Sequence, residues 1–324
     1  MSASESFKAC LLNNTPTGSL PQLELMPYNQ GTLSRWYNEG LPLSVKTTED
    51  LHDYFELAPL TFSFFFPFVD EANCREKITS VQEFHQVQKT LFNLEVVKDR
   101  IEAYAIEREK TQAKNGVHWV PMHGFFWHPR ELFGVTEHLM MFYENPHLMH
   151  EVNKNLLEFN IKVIQMIYEV GEPDIICISE DMAYNKGSMI SPSMFDEFLE
   201  PYHKHLVEEI KHPNCLAGID SDGDISDVSS WFASLGYDCI SPFERQAGMD
   251  LLTLREKNPD LGFLGGYDKR KISQGEEAIY MEFESLKSLY DKGGFVPAVD
   301  HQTPPEVSLE SYKIYLKAGK EFLA

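Results

Sequence analysis

The sequence is short of basic residues. Lys and Arg number 28 against 50 Asp and Glu, a formal net charge of −22. This argues against nucleic acid as a main partner, because phosphate binding needs a basic face. Anionic membrane surfaces are disfavoured for the same reason. Long apolar runs are also missing, so no segment reads as a membrane span. The opening Met1-Ser-Ala-Ser-Glu-Ser-Phe-Lys has no apolar core and does not read as a signal peptide. Cysteine is scarce: Cys10, Cys74, Cys177, Cys215 and Cys239 are odd in number and follow no paired spacing. That predicts free thiols in a reducing cytoplasm. Cys177, Cys215 and Cys239 lie in apolar runs and are expected as small core residues. There is no P-loop, no dinucleotide glycine fingerprint and no nucleophile elbow. Nor is there a linker, a low-complexity tract or an internal repeat. One domain spanning residues 1–324 is the simplest organisation.

What remains is an α/β pattern. With 324 residues, 43% of them hydrophobic, the chain can bury a large core. From about residue 118, apolar runs of strand length alternate with helical periodicity. Strands are predicted at 118–124, 174–180, 214–220, 237–243, 261–267 and 295–300. Helices are predicted at 129–143, 146–170, 192–211, 225–235, 248–258, 274–291 and 306–322. Ser191-Pro192 and Thr303-Pro304-Pro305-Glu306 read as helix starts. Upstream, Leu23–Tyr28 and Phe62–Val69 are two further strand candidates, bringing the total to eight. The fold class expected is therefore a single (β/α)₈ TIM barrel. The five phenylalanines of Phe62–Phe68 are expected to be buried.

Polar chemistry gathers where these strands end. Leu216-Ala-Gly-Ile runs into Asp220, Asp222 and Asp224, and alternation along a strand would put all three on one face. Glu180 and Asp181 close the run before them. Adjacent strand residues point opposite ways, so one is expected in the pocket and the other in a pair with Lys186 or a helix cap. Glu244, Asp268, and Asp300 with His301 close three more runs. In parallel α/β proteins the C-terminal strand ends carry the chemistry. Glu180, Asp220, Asp222, Glu244 and His301 are therefore the candidate catalytic residues. Clustered carboxylates cannot all ionise together, which supplies a general acid. Against this, the three aspartates also suit a helix N-terminus or a turn. Substrate contacts are expected from His123, Phe125, Trp127, Tyr267 and Asp268. The Pro121–Arg130 stretch is rich in aromatics and would suit a flat or methylated compound. Gly265-Gly266 could admit a phosphate, but no helix N-terminal nest lies nearby.

Several blocks are similar, in linked order, to the uroporphyrinogen decarboxylase superfamily. They are Ser179-Glu-Asp-Met-Ala-Tyr, Ile190-Ser-Pro-Ser-Met-Phe-Asp-Glu-Phe-Leu-Glu-Pro-Tyr, and Pro242-Phe-Glu with Ala247-Gly-Met-Asp. Leu264-Gly-Gly-Tyr-Asp-Lys-Arg and Asp300-His-Gln-Thr-Pro-Pro-Glu-Val follow. Ser34-Arg-Trp-Tyr-Asn-Glu-Gly-Leu-Pro resembles the opening of the methyltransferase-like branch. The resemblance spans roughly residues 20–320 and implies the same barrel fold. True uroporphyrinogen decarboxylases open with an Arg-rich segment that grips porphyrinogen carboxylates; residues 20–45 here hold Arg35 alone. The methyltransferase branch implies methyl transfer to a corrinoid (cobalamin) protein, often with zinc held by His-x-Cys and a second Cys. Asp220, Ser221-Asp222 and His301 stand at those positions. The resemblance thus implies Asp220, Asp222 and His301, with Glu180, as ligands for zinc or another divalent metal. The function expected is methyl transfer from a small O- or N-methylated substrate to a corrinoid protein. The alternative is a decarboxylase or lyase acting on a small carboxylic acid.

Overall fold

The structure is a computed structural model describing residues 2–12, 20, 22–25, 28–67 and 78–324. Seven parallel strands curl into one sheet whose spatial order follows the chain. They are β1 (Leu60–Phe62), β2 (Val117–His123), β3 (Ile175–Ser179), β6 (Leu216–Asp220), β7 (Cys239–Ser241), β8 (Gly262–Tyr267) and β9 (Phe295–Val299). A separate antiparallel hairpin, β4 (Ala183–Tyr184) with β5 (Gly187–Ser188), follows β3. β2, β7, β8 and β9 are buried along their full length, and β3 and β6 in all but their last residue. Both faces of a parallel sheet are covered, so its strands read as continuous apolar runs.

The six later strands predicted from sequence are all present, within a few residues at each end. The two earliest differ. Residues 22–25 and Tyr28 carry no strand; Gln22 only accepts a hydrogen bond from the Ala58 amide (3.0 Å). Residues 26, 27, 68 and 69 lie outside the described residues. The second candidate forms as β1, earlier and shorter than predicted. The described residues therefore give a curled seven-stranded parallel sheet, not eight strands in a closed ring. Nor is the phenylalanine stretch uniformly buried. Phe65 is in the core, but Phe64 is half exposed and Phe62 and Phe66 are partly so.

Helices pack outside the sheet. Pro146–Val170 matches its predicted bounds. Asn145 caps it by accepting from the Leu148 amide (3.3 Å), and Pro146 opens its first turn. Leu148, Val152, Leu156, Phe159, Val163 and Ile167 recur on one stripe and are buried. The predicted helix 129–143 is instead two, Trp127–Phe133 and Val135–Glu144, broken at Gly134 with φ +88°. The last helix starts at Leu309, capped by Ser308, because Pro304–Val307 closes a turn first. A helix not read from the sequence, Ala3–Leu12, covers the N-terminal end of the sheet. Phe7 meets Trp119 with ring centroids 6.4 Å apart, and the Cys10 thiol donates to the Phe295 carbonyl (3.2 Å). Among the described residues no helix is long and apolar enough to cross a membrane.

The register aligns the C-terminal strand ends. His123 pairs with Ser179, Ser179 with Asp220, and Asp220 with Ser241. One polar row thus crosses four neighbouring strands. Beside it, Gly265 (φ +98°) and Gly266 (φ +71°) bend β8 so that the Gly266 amide donates to the Pro242 carbonyl (2.9 Å). That amide is used by the fold, which removes the phosphate reading. A Cβ on Gly265 would meet the Pro242 oxygen at 2.2 Å. Gly265→Ala should therefore cost on the order of 3 kcal/mol, from left-handed strain plus backbone overlap. Urea unfolding checks this, and a loss under about 1 kcal/mol would mean that the bulge relaxes freely.

Candidate active site

Glu180 comes first after β3 and is fully buried. Its Oε1 accepts from the Phe125 amide (2.7 Å), and its Oε2 from the Phe126 (2.7 Å) and Trp127 (3.1 Å) amides. These amides lead into the helix Trp127–Phe133, where a carboxylate suits the helix dipole. A Cβ on Gly124 would lie 2.1 Å from Oε1, so only glycine leaves room for this approach. On the other side, His203 Nε2 lies 2.7 Å from Oε1, close in distance but poorly aligned as a hydrogen bond. His203 Nδ1 meets the Tyr237 hydroxyl at 2.8 Å. Expected as a catalytic group and metal ligand, Glu180 is instead occupied from every side. Its place is that of a fastener.

Asp181, already past the end of β3, turns at φ +39° to a different set of partners. It accepts the Asp222 amide on Oδ1 (3.0 Å). Arg130 reaches its carbonyl (2.8 Å) and Oδ2 (3.5 Å) while stacking 4.0 Å above the Trp127 ring. The predicted partner Lys186 is not used here. β6 ends at Asp220, so Asp222 and Asp224 sit in the following loop. Asp224 turns aside to cap Ser226, accepting its amide at 3.1 Å. Asp222 stays, with Oδ2 3.6 Å from His301 Nε2. Both side chains are about a third exposed, 38% and 35%.

Three acids in this corner have pKa values raised above the ordinary aspartate value. Burial raises Asp222 to about 7, helped by the Asp181 and Glu244 charges and opposed by Lys269 and Arg130. Burial, then Asp181 and Asp222, push Asp220 well above the usual carboxylate range. Burial also raises Asp181, against the pull of the Asp222 amide and of Arg130. His301 is depressed by burial and by Lys269, so its imidazole is neutral around pH 7.

The remaining candidates divide. Glu244 is at the site: its Oε2 accepts the Gly223 amide (3.1 Å), and its Oε1 lies 3.4 Å from Lys269 Nζ. Lys269 Nζ is also 3.3 Å from Asp300 Oδ1. Asp268, expected as a substrate contact, is instead clamped by Arg270 through Nε and Nη2 (both 2.8 Å), and Lys269 is the neighbour that faces the site. Tyr267 is buried and its hydroxyl donates to the Ile279 carbonyl (3.2 Å), so it faces the helix layer. Phe125 is also buried, packed on His203 and Tyr202. Neither is open to a substrate. Trp127 is partly exposed, whereas His123 is itself buried at the end of β2. His123 stacks on Phe66 at 4.1 Å, and Phe66 continues to Phe64 and Phe62. These rings form an aromatic wall.

Among the described residues no three His, Cys, Asp or Glu side chains converge to hold a metal ion. With Glu180 taken up by backbone amides, the expected ligand set does not assemble among the described residues. Four contributors escaped the sequence reading: His203, Tyr237, Lys269 and the Arg130–Asp181 pairing. His203 left a trace, since it sits on the buried stripe Leu199, His203, Leu206, Ile210. A polar residue at an apolar period needs a buried partner.

A sequence model of the uroporphyrinogen decarboxylase (URO-D) family matches residues 76–322, about three quarters of the chain. No curated protein matches the chain. Among solved structures, a methyltransferase from Methanosarcina mazei is similar over 100% of both chains, with TM-score 0.64 and 17% identity. A putative vitamin-B12 independent methionine synthase from Listeria monocytogenes covers 96% of this chain and 98% of its own, with TM-score 0.48 and 13% identity. The first of these likenesses shows a shared fold.

The raised Asp222 has a consequence for stability. Its folded pKa of about 7 exceeds the ordinary 3.8, so its contribution is fully present below the ordinary value and is lost as pH rises through about 7. Asp222→Asn should therefore gain stability relative to the native protein between about pH 5 and about pH 8. Urea unfolding of both proteins at the two pH values reads this. A pH-independent difference would mean that Asp222 titrates as an ordinary carboxylate.

Proposed function

The chain belongs to the uroporphyrinogen decarboxylase (URO-D) family, and from that premise we propose a methyltransferase-like enzyme. It would move a methyl group from a small O- or N-methylated compound to a corrinoid carried by a partner protein. The observation that supports this most is Asp222, a carboxyl held to about 7 at an accessible position 3.6 Å from His301. Methyl ethers and amines leave poorly unless the departing atom is protonated. A reduced corrinoid on the partner would supply the nucleophile that takes the methyl group. In the same event the C–O or C–N bond breaks, and the oxygen or nitrogen keeps its electrons. The Asp222 carboxyl supplies the proton to that atom. Neutral His301 can then pass a solvent proton back to Asp222.

The surroundings fit this role. Asp181 holds the Asp222 backbone and Lys269 holds Glu244 and Asp300, so the acids are spaced by fixed partners. Trp127, partly exposed and stacked under Arg130, offers an apolar face beside Asp181. The fold is also that of the Methanosarcina mazei methyltransferase.

A second reading, decarboxylation of a small acid, draws on Arg130 and Lys269, two cations near Asp222. Porphyrinogen is a poor fit. Arg35 already binds the Pro305 (3.1 Å) and Glu306 (2.8 Å) carbonyls and Glu39 (2.6 Å). It steadies the loop behind His301.

The test is an anaerobic methylcobalamin absorbance assay with reduced corrinoid protein and a panel of methylated aromatics and amines. At least one should be demethylated, with kcat falling as pH rises through about 7. Asp222→Asn should lower kcat by roughly 10²–10⁴-fold, the usual loss of a general acid. Uroporphyrinogen should not turn over. Its conversion to coproporphyrinogen at ordinary enzyme rates, with no demethylation, would replace this reading by the second.

A further inference from the structure

We propose that His203 is a positioning residue for the Asp222–His301 pair, acting through Glu180 from outside the site. Its catalytic consequence rests on the reading that Asp222 and His301 do the chemistry; its structural consequence does not. The argument starts from Glu180 and Asp181, two adjacent residues with opposite outputs. Glu180 fixes the Phe125, Phe126 and Trp127 amides, and with them the rim. Its own amide donates to the Asp220 carbonyl at 2.8 Å, which ties the same point to the end of β6. Asp181 follows at φ +39°, a conformation that a non-glycine residue keeps only when its neighbours hold it. In that conformation it accepts the Asp222 amide and receives Arg130. The loops after β2, β3 and β6 therefore meet at one dipeptide.

The side chain closing this dipeptide from behind is His203. It is fully buried and packs edge-on against Phe125 (4.9 Å) and Phe232 (5.1 Å). Tyr237, also buried, fixes its ring through Nδ1 and leaves Nε2 toward Glu180. No solvent reaches these groups, so they cannot carry protons to a substrate. What they can do is hold the Glu180 carboxylate against its three amides. Without His203, one face of a buried carboxylate loses its polar neighbour, and the carboxylate must shift or recruit water. Either response moves Asp181 and so the Asp222 amide.

The experiment compares His203→Leu, His203→Gln and Tyr237→Phe with the native protein. The first readout is the amide proton shifts of Phe125, Phe126, Trp127 and Asp222, from selectively labelled protein without substrate. These amides donate to carboxylates and should resonate downfield. In His203→Leu all four should move upfield, including that of Asp222, which His203 does not touch. His203→Gln, which keeps a donor, should recover them in part, and Tyr237→Phe should show a smaller shift in the same direction. The second readout is kinetic: His203→Leu should lower kcat by roughly tenfold or more with KM changed far less. A folded His203→Leu with native Asp222 shifts would overturn the proposal. So would a variant that loses thermal stability while its folded fraction keeps native shifts and kcat. If His203→Leu does not fold, Tyr237→Phe decides on the same terms. Altered Asp222 shifts in a protein that demethylates nothing would uphold the positioning and count against the methyl-transfer reading alone.

Discussion

A single buried carboxylate organises this end of the molecule. Glu180 takes three backbone amides and a histidine contact, and it sits where only Gly124 lets it approach. A buried carboxylate is costly to leave unpaired, so the surrounding chain is constrained to supply partners. That constraint brings the loop after β2 under the rim and leaves Asp181 facing the opposite way. Asp222 then hangs from Asp181 by its amide, which sets it opposite His301. The position of Asp222 thus follows from a residue that is itself fully buried.

The second constraint is electrostatic. Asp181, Asp220, Asp222, Glu244 and Asp300 share one corner with two fixed cations, Arg130 and Lys269. The two cations do not offset burial, which raises Asp181, Asp220, Asp222 and Asp300 above their ordinary value. Arg130 is spent on Asp181 and Trp127, and Lys269 on Glu244 and Asp300. Asp222 is left accessible, with a raised pKa and without a cation of its own. Strain and surplus charge thus fall together where chemistry needs them.

Much of this was legible in the sequence, for a physical reason. Parallel strands buried on both faces read as apolar runs, and their helices repeat at 3.6 residues, so β2, β3 and β6 to β9 were found. The acids at their ends marked the edge where the charged groups gather. The misses share a different cause. Glu180 looks like a reacting group because a sequence does not show that three amides from residues 125–127 fold over it. Asp268 is taken up by Arg270, which reaches back two residues, a contact that alternation does not foresee. β1 is three residues long and carries too little period to place. Residues 22–25 read as a strand from apolar content alone, which cannot specify a pairing partner. The N-terminal helix was passed over because it is short and its apolar face, Phe7, Cys10 and Leu11, is small.

The account rests on Asp222 keeping a proton in the neutral range, and infrared spectroscopy reads that state directly. Difference spectra of the native protein and Asp222→Asn would be recorded from about pH 5 to about pH 9, spanning the expected titration. The account predicts a protonated-carboxyl stretch in the native protein, absent from the variant, that disappears as pH rises through about 7. Spectra that already coincide in the protonated-carboxyl region at about pH 5 would show Asp222 ionised throughout, contradicting the role given to it.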